Sequence, residues 1–259
     1  MQASRFHCYS PLVRNLNKGN SAIVYFSLII PAYNEEKRIG DTLRHVFEYL
    51  SRQSYDAEVI VVDDGSADQT ANVVREEFPQ VNLISYQPNR GKGYAVKQGI
   101  EAASGKYRVF YDADASTPIE EVEKLWPKFQ AGAQVVIGSR SIAGANVEIH
   151  QAWYRENMGR IFNLIVRIVA FGGFSDTQCG FKGFTAESCA IIFPRQTIER
   201  FSFDAELMFM ALKHKLPIAE VPVRWLNCPH TRVRAIRDSA RMIYDLVLMR
   251  LRDLRGAYR

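Results

Sequence analysis

Short apolar runs alternate with helical patterns along the first half of the chain, and this alternation limits the folds open to it. The runs, rich in β-branched or aromatic residues, are Ile23–Ile30, Ala57–Val62, Val81–Tyr86 and Arg108–Tyr111. Helical spacing marks the stretches between them, at Asn34–Leu50, after Ser66 and at Gly93–Ala103. Ser66 and Gln69 match a capping box that would begin the second helix. The pattern predicts an α/β domain with a Rossmann-like mixed, mainly parallel sheet flanked by helices.

Each apolar run is followed by a polar cluster. The clusters are Pro31–Glu36, Asp63–Ser66, Asn89–Gly93 and Asp112–Asp114. Ligands of open α/β sheets bind beyond the carboxyl ends of the strands, so we expect the four clusters to line one cleft. On an extended backbone Asp112 and Asp114 would point the same way. They would then hold Mg²⁺ or Mn²⁺ together with substrate phosphates, the alternative being a polar turn that closes a strand.

The second half of the chain is less regular. Its predicted elements are strands at Gln134–Gly138 and Pro217–Trp225, a turn at Asp176–Lys182, and helices at Phe203–His214 and Ile236–Leu254. Asn157–Phe171 is intensely apolar with one narrow polar face, which is typical of a core helix or of a helix in a membrane interface. We expect a flexible extension over residues 1–22, a catalytic domain over 23–230 and a basic amphipathic helix over 231–259.

Charge is concentrated at the C-terminus. Residues 232–259 contain eight arginines and three aspartates, so this segment alone accounts for the formal net charge of +5. Such a segment suits anionic lipid or an acidic partner. No nucleic-acid-binding motif accompanies the arginines, so nucleic acid is not an expected partner.

Apolar run lengths and cysteine spacing bear on location. No run of eighteen uncharged apolar residues exists, and the N-terminus lacks the apolar core of a signal peptide. The four cysteines have no metal-binding spacing, which favours a reducing compartment. We therefore expect a cytosol-facing protein without a transmembrane segment.

Two common nucleotide-binding motifs are absent. Gly91 and Gly93 form a Gly-x-Gly, but no glycine follows three residues later, as a dinucleotide-binding fingerprint requires. Gly93 is not followed by Lys-Ser or Lys-Thr, as a P-loop requires. Dehydrogenase and P-loop NTPase functions are therefore excluded.

From Phe26 to the C-terminus the chain resembles the family-2 glycosyltransferases of A-type fold, and within them the dolichyl-phosphate β-glucosyltransferases and other polyprenyl-phosphate glycosyltransferases. The resemblance is carried by Pro31–Arg38, Val61–Ser66, Asn89–Gly93, Asp112–Asp114, Gly138–Arg140, Asp176–Lys182, Phe203–Leu207, Arg250–Arg252 and Gly256–Arg259. It implies a single-domain nucleotide-sugar-transferase fold with amphipathic interfacial helices. The implied reaction is an inverting, metal-dependent transfer of glucose from UDP-glucose to a polyprenyl phosphate at a membrane surface. Since that lipid lies in a bilayer, the resemblance implies a protein bound peripherally at the cytoplasmic face of a membrane.

The resemblance also implies roles for individual residues. The donor-binding residues would be Pro31, Ala32, Tyr33, Glu35, Asp64, Lys92, Asp112 and Ala113. Asp112 and Asp114 would hold the metal, and the catalytic residues would be these two with Asp204. The acceptor phosphate would need cations, and the candidates are Arg140, Lys182, Arg232 and Arg234. The Trp225–Arg234 segment departs from the family, because a small-residue-plus-lysine motif is expected there.

Asp204 has alternative interpretations. A phosphate monoester has a second pKa near 6, so such an acceptor is ionised at neutral pH and needs no general base. Asp204 would then orient the acceptor or the sugar, and would act as a base only for a hydroxyl acceptor. It can equally be a first-turn acid that stabilises a helix dipole.

Two other functions stay open on the sequence alone. One is mannosyl transfer from GDP-mannose to a polyprenyl phosphate. The other is a non-catalytic protein that binds a nucleotide sugar or a lipid.

Overall fold

Seven strands form one sheet within residues 24–147, 173–226 and 235–259, which this computed structural model describes. The strand order is β3-β2-β1-β4-β7-β5-β8. The strands are β1 Phe26–Ala32, β2 Ala57–Asp64, β3 Asn82–Tyr86, β4 Tyr107–Tyr111, β5 Val135–Ser139, β7 Phe181–Thr185 and β8 Ile218–Pro222. A separate parallel ribbon pairs β6, Asn146–Val147, with β9, Arg224–Trp225.

Helices connect most of these strands. They are α1 Ile39–Leu50, α2 Thr70–Glu77, α3 Lys92–Ala102, α4 Trp126–Gln130, α5 Ala186–Ile192, α6 Phe203–Lys213 and α7 Ala235–Leu254. Short 3-10 helices lie at Ile119–Lys124 and Phe193–Arg195. The predicted extension over residues 1–22, the apolar stretch Asn157–Phe171, and Arg232 and Arg234 lie outside the described residues.

Strand direction places the polar clusters on one edge of the sheet. β7 runs antiparallel to β4 and β5, and every other pairing in the sheet is parallel. The carboxyl ends of six strands and the start of β7 therefore meet at one edge, which we call the carboxyl edge. The predicted mixed, mainly parallel sheet is confirmed.

Both faces of the sheet are covered, which explains the apolar runs in the sequence. Leu28 and Ile30 of β1 pack on one face with α1 and α4, whereas Ile29 packs on the other. That second face carries α3, α6 and α7. Since neither side of the central strands meets water, their sequences are continuous apolar runs and do not alternate between apolar and polar residues.

Three local predictions were wrong. The residues from Phe181 on form β7 and not a turn, and α5 follows it. The strand predicted over Pro217–Trp225 is split into β8 and β9 after Pro222, which has no N–H for a ladder. Ser66 does not begin a helix: α2 begins at Thr70, because the Ser66 hydroxyl accepts a hydrogen bond from the Asn34 N–H at 2.8 Å.

Helix α7 has two apolar sides. Leu246 and Met249 are wholly buried in the apolar cluster that includes α6, whereas the stripe of Ile243, Val247 and Leu251 is exposed. Among the described residues no helix has the length and apolar character needed to cross a membrane.

Candidate active site

The first two polar clusters are joined by backbone hydrogen bonds. The Ala67 N–H donates to Asn34 Oδ1 at 2.8 Å, and the Glu35 N–H donates to Thr70 Oγ1 at 2.7 Å. The Glu35 carboxylate pairs with Arg38 at 2.5 Å. These bonds fix the loop after β1 against the loop after β2.

Three predicted donor-binding residues lie where β1 ends. Pro31 is half-buried, Ala32 is buried, and Tyr33 is 38% exposed just beyond the strand. Of the three, Tyr33 therefore presents a partly exposed aromatic ring at the carboxyl edge.

Asp64 links the second cluster to the third. Its carboxylate accepts hydrogen bonds from the backbone N–H groups of Arg90 and Gly91, both at 2.8 Å, and from Asn89 Nδ2 at 2.7 Å. Burial raises the pKa of Asp64 above its ordinary value, although the N–H of Arg90 acts against burial. Asp64 thus holds the Asn89–Gly93 loop in place, whichever ligand it also contacts.

Glycine at position 91 is required by this loop. Its φ of 118° lies in the region that side chains rarely adopt, and an added Cβ would stand 2.6 Å from the Glu199 carbonyl oxygen. The loop therefore lies directly on the segment that precedes α6.

Lys92 joins the third cluster to the fourth. Its Nζ lies 2.5 Å from Asp112 Oδ1. Burial lowers the pKa of Lys92, but the charges of Asp112 and Asp204 outweigh it, and the pKa lies above its ordinary value. Burial likewise raises the pKa of Asp112, with the Lys92 charge acting in the other direction. The ammonium therefore lies among carboxylates from the Asp112–Asp114 cluster and from α6.

Asp112 and Asp114 lie on a turn. Strand β4 ends at Tyr111, and the Ala115 N–H donates to the Asp112 carbonyl oxygen at 3.1 Å. Asp114 Oδ1 accepts from the Ser116 N–H at 3.0 Å. The expectation that an extended backbone aligns the two carboxylates was therefore wrong, although both lie just beyond the carboxyl end of β4. Buried Ala113 between them accepts a hydrogen bond at its carbonyl oxygen from Thr42 Oγ1 at 2.8 Å.

Gly180 lies against the Asp112 carboxylate. An added Cβ on Gly180 would overlap Asp112 Oδ2, which is far closer than real Cβ contacts allow. Gly180 immediately precedes β7, so the start of this antiparallel strand forms one wall of the site beside Asp112.

Lys182 and Asp204 form a buried ion pair beneath the carboxyl edge. Lys182 Nζ lies 2.5 Å from Asp204 Oδ1 and 2.6 Å from the Cys179 carbonyl oxygen. The Lys182 side chain is wholly enclosed and that of Asp204 is 6% exposed. Each charge thus has a partner, as buried charges require.

Arg140 and Asp176 form a second ion pair at the end of β5. The guanidinium is bidentate, with Nε 2.6 Å from Asp176 Oδ2 and Nη2 3.0 Å from Oδ1, and it stacks 4.7 Å from the Trp225 ring centre. Burial acts to raise the pKa of Asp176, but the Arg140 charge and hydrogen bonds outweigh it and lower the pKa to about 2.

This ion pair predicts a specific acid sensitivity. Because the folded-state pKa of Asp176 is depressed from 3.8 to about 2, its stabilisation is complete above the unfolded value and is lost as pH falls. We expect the pair to contribute about 2 kcal/mol to the free energy of unfolding, lost between about pH 4 and pH 2. Urea unfolding of wild type and Asp176→Asn across this range measures it. Parallel pH profiles for the two proteins would contradict the prediction.

The carboxylates at the end of β4 suit a divalent cation. Mg²⁺ binds through one or two carboxylates together with substrate phosphates, so Asp112 and Asp114 are a sufficient protein ligand set. No group of three or more metal-binding side chains occurs in the described parts of the chain, so an all-protein cage is not available there. The residues present therefore fit a cation shared with a diphosphate.

The structure brings together most of the predicted site residues and adds others. Donor-binding candidates from four clusters meet at the carboxyl edge, with Asp204 and Lys182 beneath them. Sequence reasoning missed Asp176 and Gly180 as individual site residues. Both stand in the Asp176–Lys182 motif, so the signal was present, but their partners Arg140 and Asp112 lie far away in sequence.

Known proteins match this chain in sequence over most of its length. The model of "Glycosyl transferase family 2" matches residues 27–191. The dolichyl-phosphate beta-glucosyltransferase of Dictyostelium discoideum is 35% identical over 268 residues, which cover 98% of this chain and 81% of that protein. The human protein of the same name is 34% identical, covering 90% of this chain and 77% of its own length.

A solved structure supports the fold. Glucosyl-3-phosphoglycerate synthase from Mycobacterium tuberculosis, in complex with Mn²⁺, UDP and phosphoglyceric acid, superposes with a TM-score of 0.67 at 19% identity. The match covers 91% of this chain and 84% of that one. Taken with the family model and the sequence relatives, this places the chain in glycosyl transferase family 2, as a glycosyltransferase of the nucleotide-sugar-transferase A-type fold.

Proposed function

We propose that the chain transfers glucose from UDP-glucose to a dolichyl-type polyprenyl phosphate, with inversion at the sugar, at the cytoplasmic face of a membrane. Relatives named dolichyl-phosphate beta-glucosyltransferase are about a third identical over most of the chain, which supports the acceptor and the sugar. The observation that carries the proposal in the structure is the Lys92–Asp112 contact. It unites two strand-end clusters around a carboxylate pair, which is the arrangement that a nucleotide diphosphate and its cation require.

The donor would lie along the carboxyl edge. Tyr33 offers an exposed ring to a base, while Glu35 and Asp64 are buried carboxylates nearby. Pro31, Ala32 and Ala113 would shape the same surface. Asp112 and Asp114 would hold Mg²⁺ or Mn²⁺, which supplies charge neutralisation for the departing UDP. Lys92 contacts Asp112 directly, so its ammonium is placed to donate hydrogen bonds to diphosphate oxygens as well.

Asp204 would act by position. Its carboxylate lies 2.5 Å from the Lys182 ammonium, and this ion pair holds the side chain in place with little exposure to solvent. A phosphate acceptor is already ionised at neutral pH and needs no proton removed. We therefore assign Asp204 to orienting the site through Lys182 and Lys92.

The acceptor phosphate would approach cations at the end of β5. Arg140 is hydrogen-bonded to Asp176 and stacked on Trp225, and these contacts fix the orientation in which its planar guanidinium would meet a phosphate. Arg232 and Arg234 complete the proposed set from the sequence. Lys182 is enclosed by protein and would contribute its charge from beneath.

Label transfer into an organic phase tests the proposal. The protein is incubated with radiolabelled UDP-glucose or GDP-mannose, a short polyprenyl phosphate and Mn²⁺, and lipid product is extracted. We expect label from UDP-glucose, and a fall of roughly 100-fold or more in Asp114→Ala, because charge stabilisation of several kcal/mol is lost. Asp41→Ala, on the exposed side of α1, is the matched control and keeps wild-type transfer.

Each other outcome contradicts part of the proposal. Lipid product labelled from GDP-mannose alone would show that GDP-mannose, and not UDP-glucose, is the donor. No labelled product from either nucleotide sugar would favour a non-catalytic binding protein. Transfer that survives Asp114→Ala would remove the metal role.

A further inference from the structure

Helix α7 exposes an apolar stripe. Five of its large apolar side chains are 39–81% exposed: Ile243, Tyr244, Val247, Leu251 and Leu254. Elsewhere in the described residues only Tyr33 and Leu212 are comparably exposed large apolar side chains. Residues spaced by three and four lie on one side of a helix, so the five form a continuous surface, here called the outer face of α7.

The opposite side of α7 is fixed to the domain. Leu246 and Met249 are wholly buried, and the Tyr258 hydroxyl beyond the helix donates to Glu206 Oε1 at 2.5 Å. Arg252 Nη1 donates to Thr197 Oγ1 at 2.6 Å. The helix therefore cannot rotate its outer face inward without breaking these contacts.

Charges around the outer face have one sign. Arg250 and Arg255 are exposed, and the helical spacing of 100° per residue places them on its two margins. The acids of this part of the helix turn towards the protein: Asp245 is buried beside Ser202, and Asp253 pairs with Lys213. Within Ile243–Leu254, where the side chains of α7 are described, the apolar stripe is bordered by arginines and has no outward acid. Such a stripe is complementary to a surface with negative headgroups and an apolar interior.

We propose that the outer face of α7 docks on an anionic lipid surface, with its apolar side chains among the headgroups and Arg250 and Arg255 on lipid phosphates. The choice of a membrane over an acidic protein rests on the proposed function, because a polyprenyl-phosphate acceptor is itself held in a bilayer. The helix is joined through Tyr258 and Glu206 to α6, which carries Asp204, so docking would orient the domain relative to the membrane.

Vesicle co-sedimentation of the full chain tests this surface. Vesicles of phosphatidylcholine alone are compared with vesicles containing about one third phosphatidylserine, an anionic lipid. We expect binding to the anionic vesicles, weakened by salt, and at least a roughly 10-fold loss of binding in Val247→Glu/Leu251→Glu. The control Asn82→Glu/Gln130→Glu has the same change in net charge at exposed sites away from α7, and should keep binding within about 2-fold.

Two further readouts separate the alternatives. Equal vesicle binding by the two double variants would overturn the proposal. So would a lowered melting temperature or a changed oligomeric state in Val247→Glu/Leu251→Glu without vesicles, because either means that protein covers the outer face. Transfer to a short, water-soluble acceptor should be unchanged in this variant. If wild type binds vesicles but transfers no sugar, the proposed function is contradicted and the proposed docking surface is supported. If wild type transfers sugar but does not bind vesicles, the docking surface is contradicted and the function is supported.

Discussion

Glu206→Ala is expected to lower the free energy of unfolding by about 3–5 kcal/mol, because it leaves two buried donors, the Ile198 N–H and the Tyr258 hydroxyl, without their charged acceptor. The Glu206 carboxylate is wholly buried and accepts from Ile198 N at 2.8 Å, Thr197 Oγ1 at 2.6 Å and the Tyr258 hydroxyl at 2.5 Å. The Thr197 N–H donates to it as well. Urea unfolding followed by circular dichroism measures the loss.

Tyr258→Phe is the matched control for this prediction. It removes one hydroxyl from the same cluster while keeping the ring that packs on Phe209, so we expect a loss of about 1 kcal/mol. A Glu206→Ala protein within about 1 kcal/mol of wild type would show that water or another group satisfies these donors. The effect should extend to the site, since a Cβ on Gly93 would stand 2.7 Å from the Ile198 carbonyl oxygen, so this segment lies against the Lys92 loop.

Gly180→Ala is expected to reduce sugar transfer by roughly 100-fold or more while the protein stays folded. The new methyl group would overlap the Asp112 carboxylate, so either the start of β7 or Asp112 must shift. Asp112 is the partner of Lys92 and a proposed metal ligand, and misplacing a reacting group by about 1 Å can cost this much. The label-transfer assay and a melting curve, taken together, measure activity and folding.

The control for Gly180→Ala is Gly40→Ala in α1. A Cβ there meets the flexible end of Arg44 at 3.2 Å and Val73 Cγ1 at 3.7 Å, an ordinary contact distance, so transfer and folding should be unchanged. If Gly180→Ala transferred glucose at the wild-type rate, Asp112 would not need its present position, and the proposed metal site would be contradicted.

The sequence predicted β1, β2 and β4 well because these strands are buried on both faces. Strands β1, β2 and β4 appear as apolar runs for that reason, and the polar residues that end them mark the carboxyl edge. Strand β7 was missed because Lys182 and Gly183 interrupt its apolar pattern. Lys182 is compatible with a buried strand only through Asp204, which lies 22 positions away.

Other site features depended on contacts that no local pattern contains. Spacing suggested that Asp112 and Asp114 act together, but not that they lie on a turn or that Lys92 contacts Asp112. In α7 the sequence shows the stripe of Ile243, Val247 and Leu251. It does not show which side packs, because Leu246 and Met249 provide a second apolar side that the domain buries.

We propose that separate strand-end clusters form one donor site in which Asp112 and Asp114 hold a cation against a diphosphate. Isothermal titration of UDP with and without Mn²⁺ tests this donor site without depending on the acceptor. We predict that Mn²⁺ strengthens UDP binding at least about 10-fold in wild type and not in Asp114→Asn, because the ligand pair is then incomplete. UDP binding that is equal with and without Mn²⁺ in wild type would contradict the account.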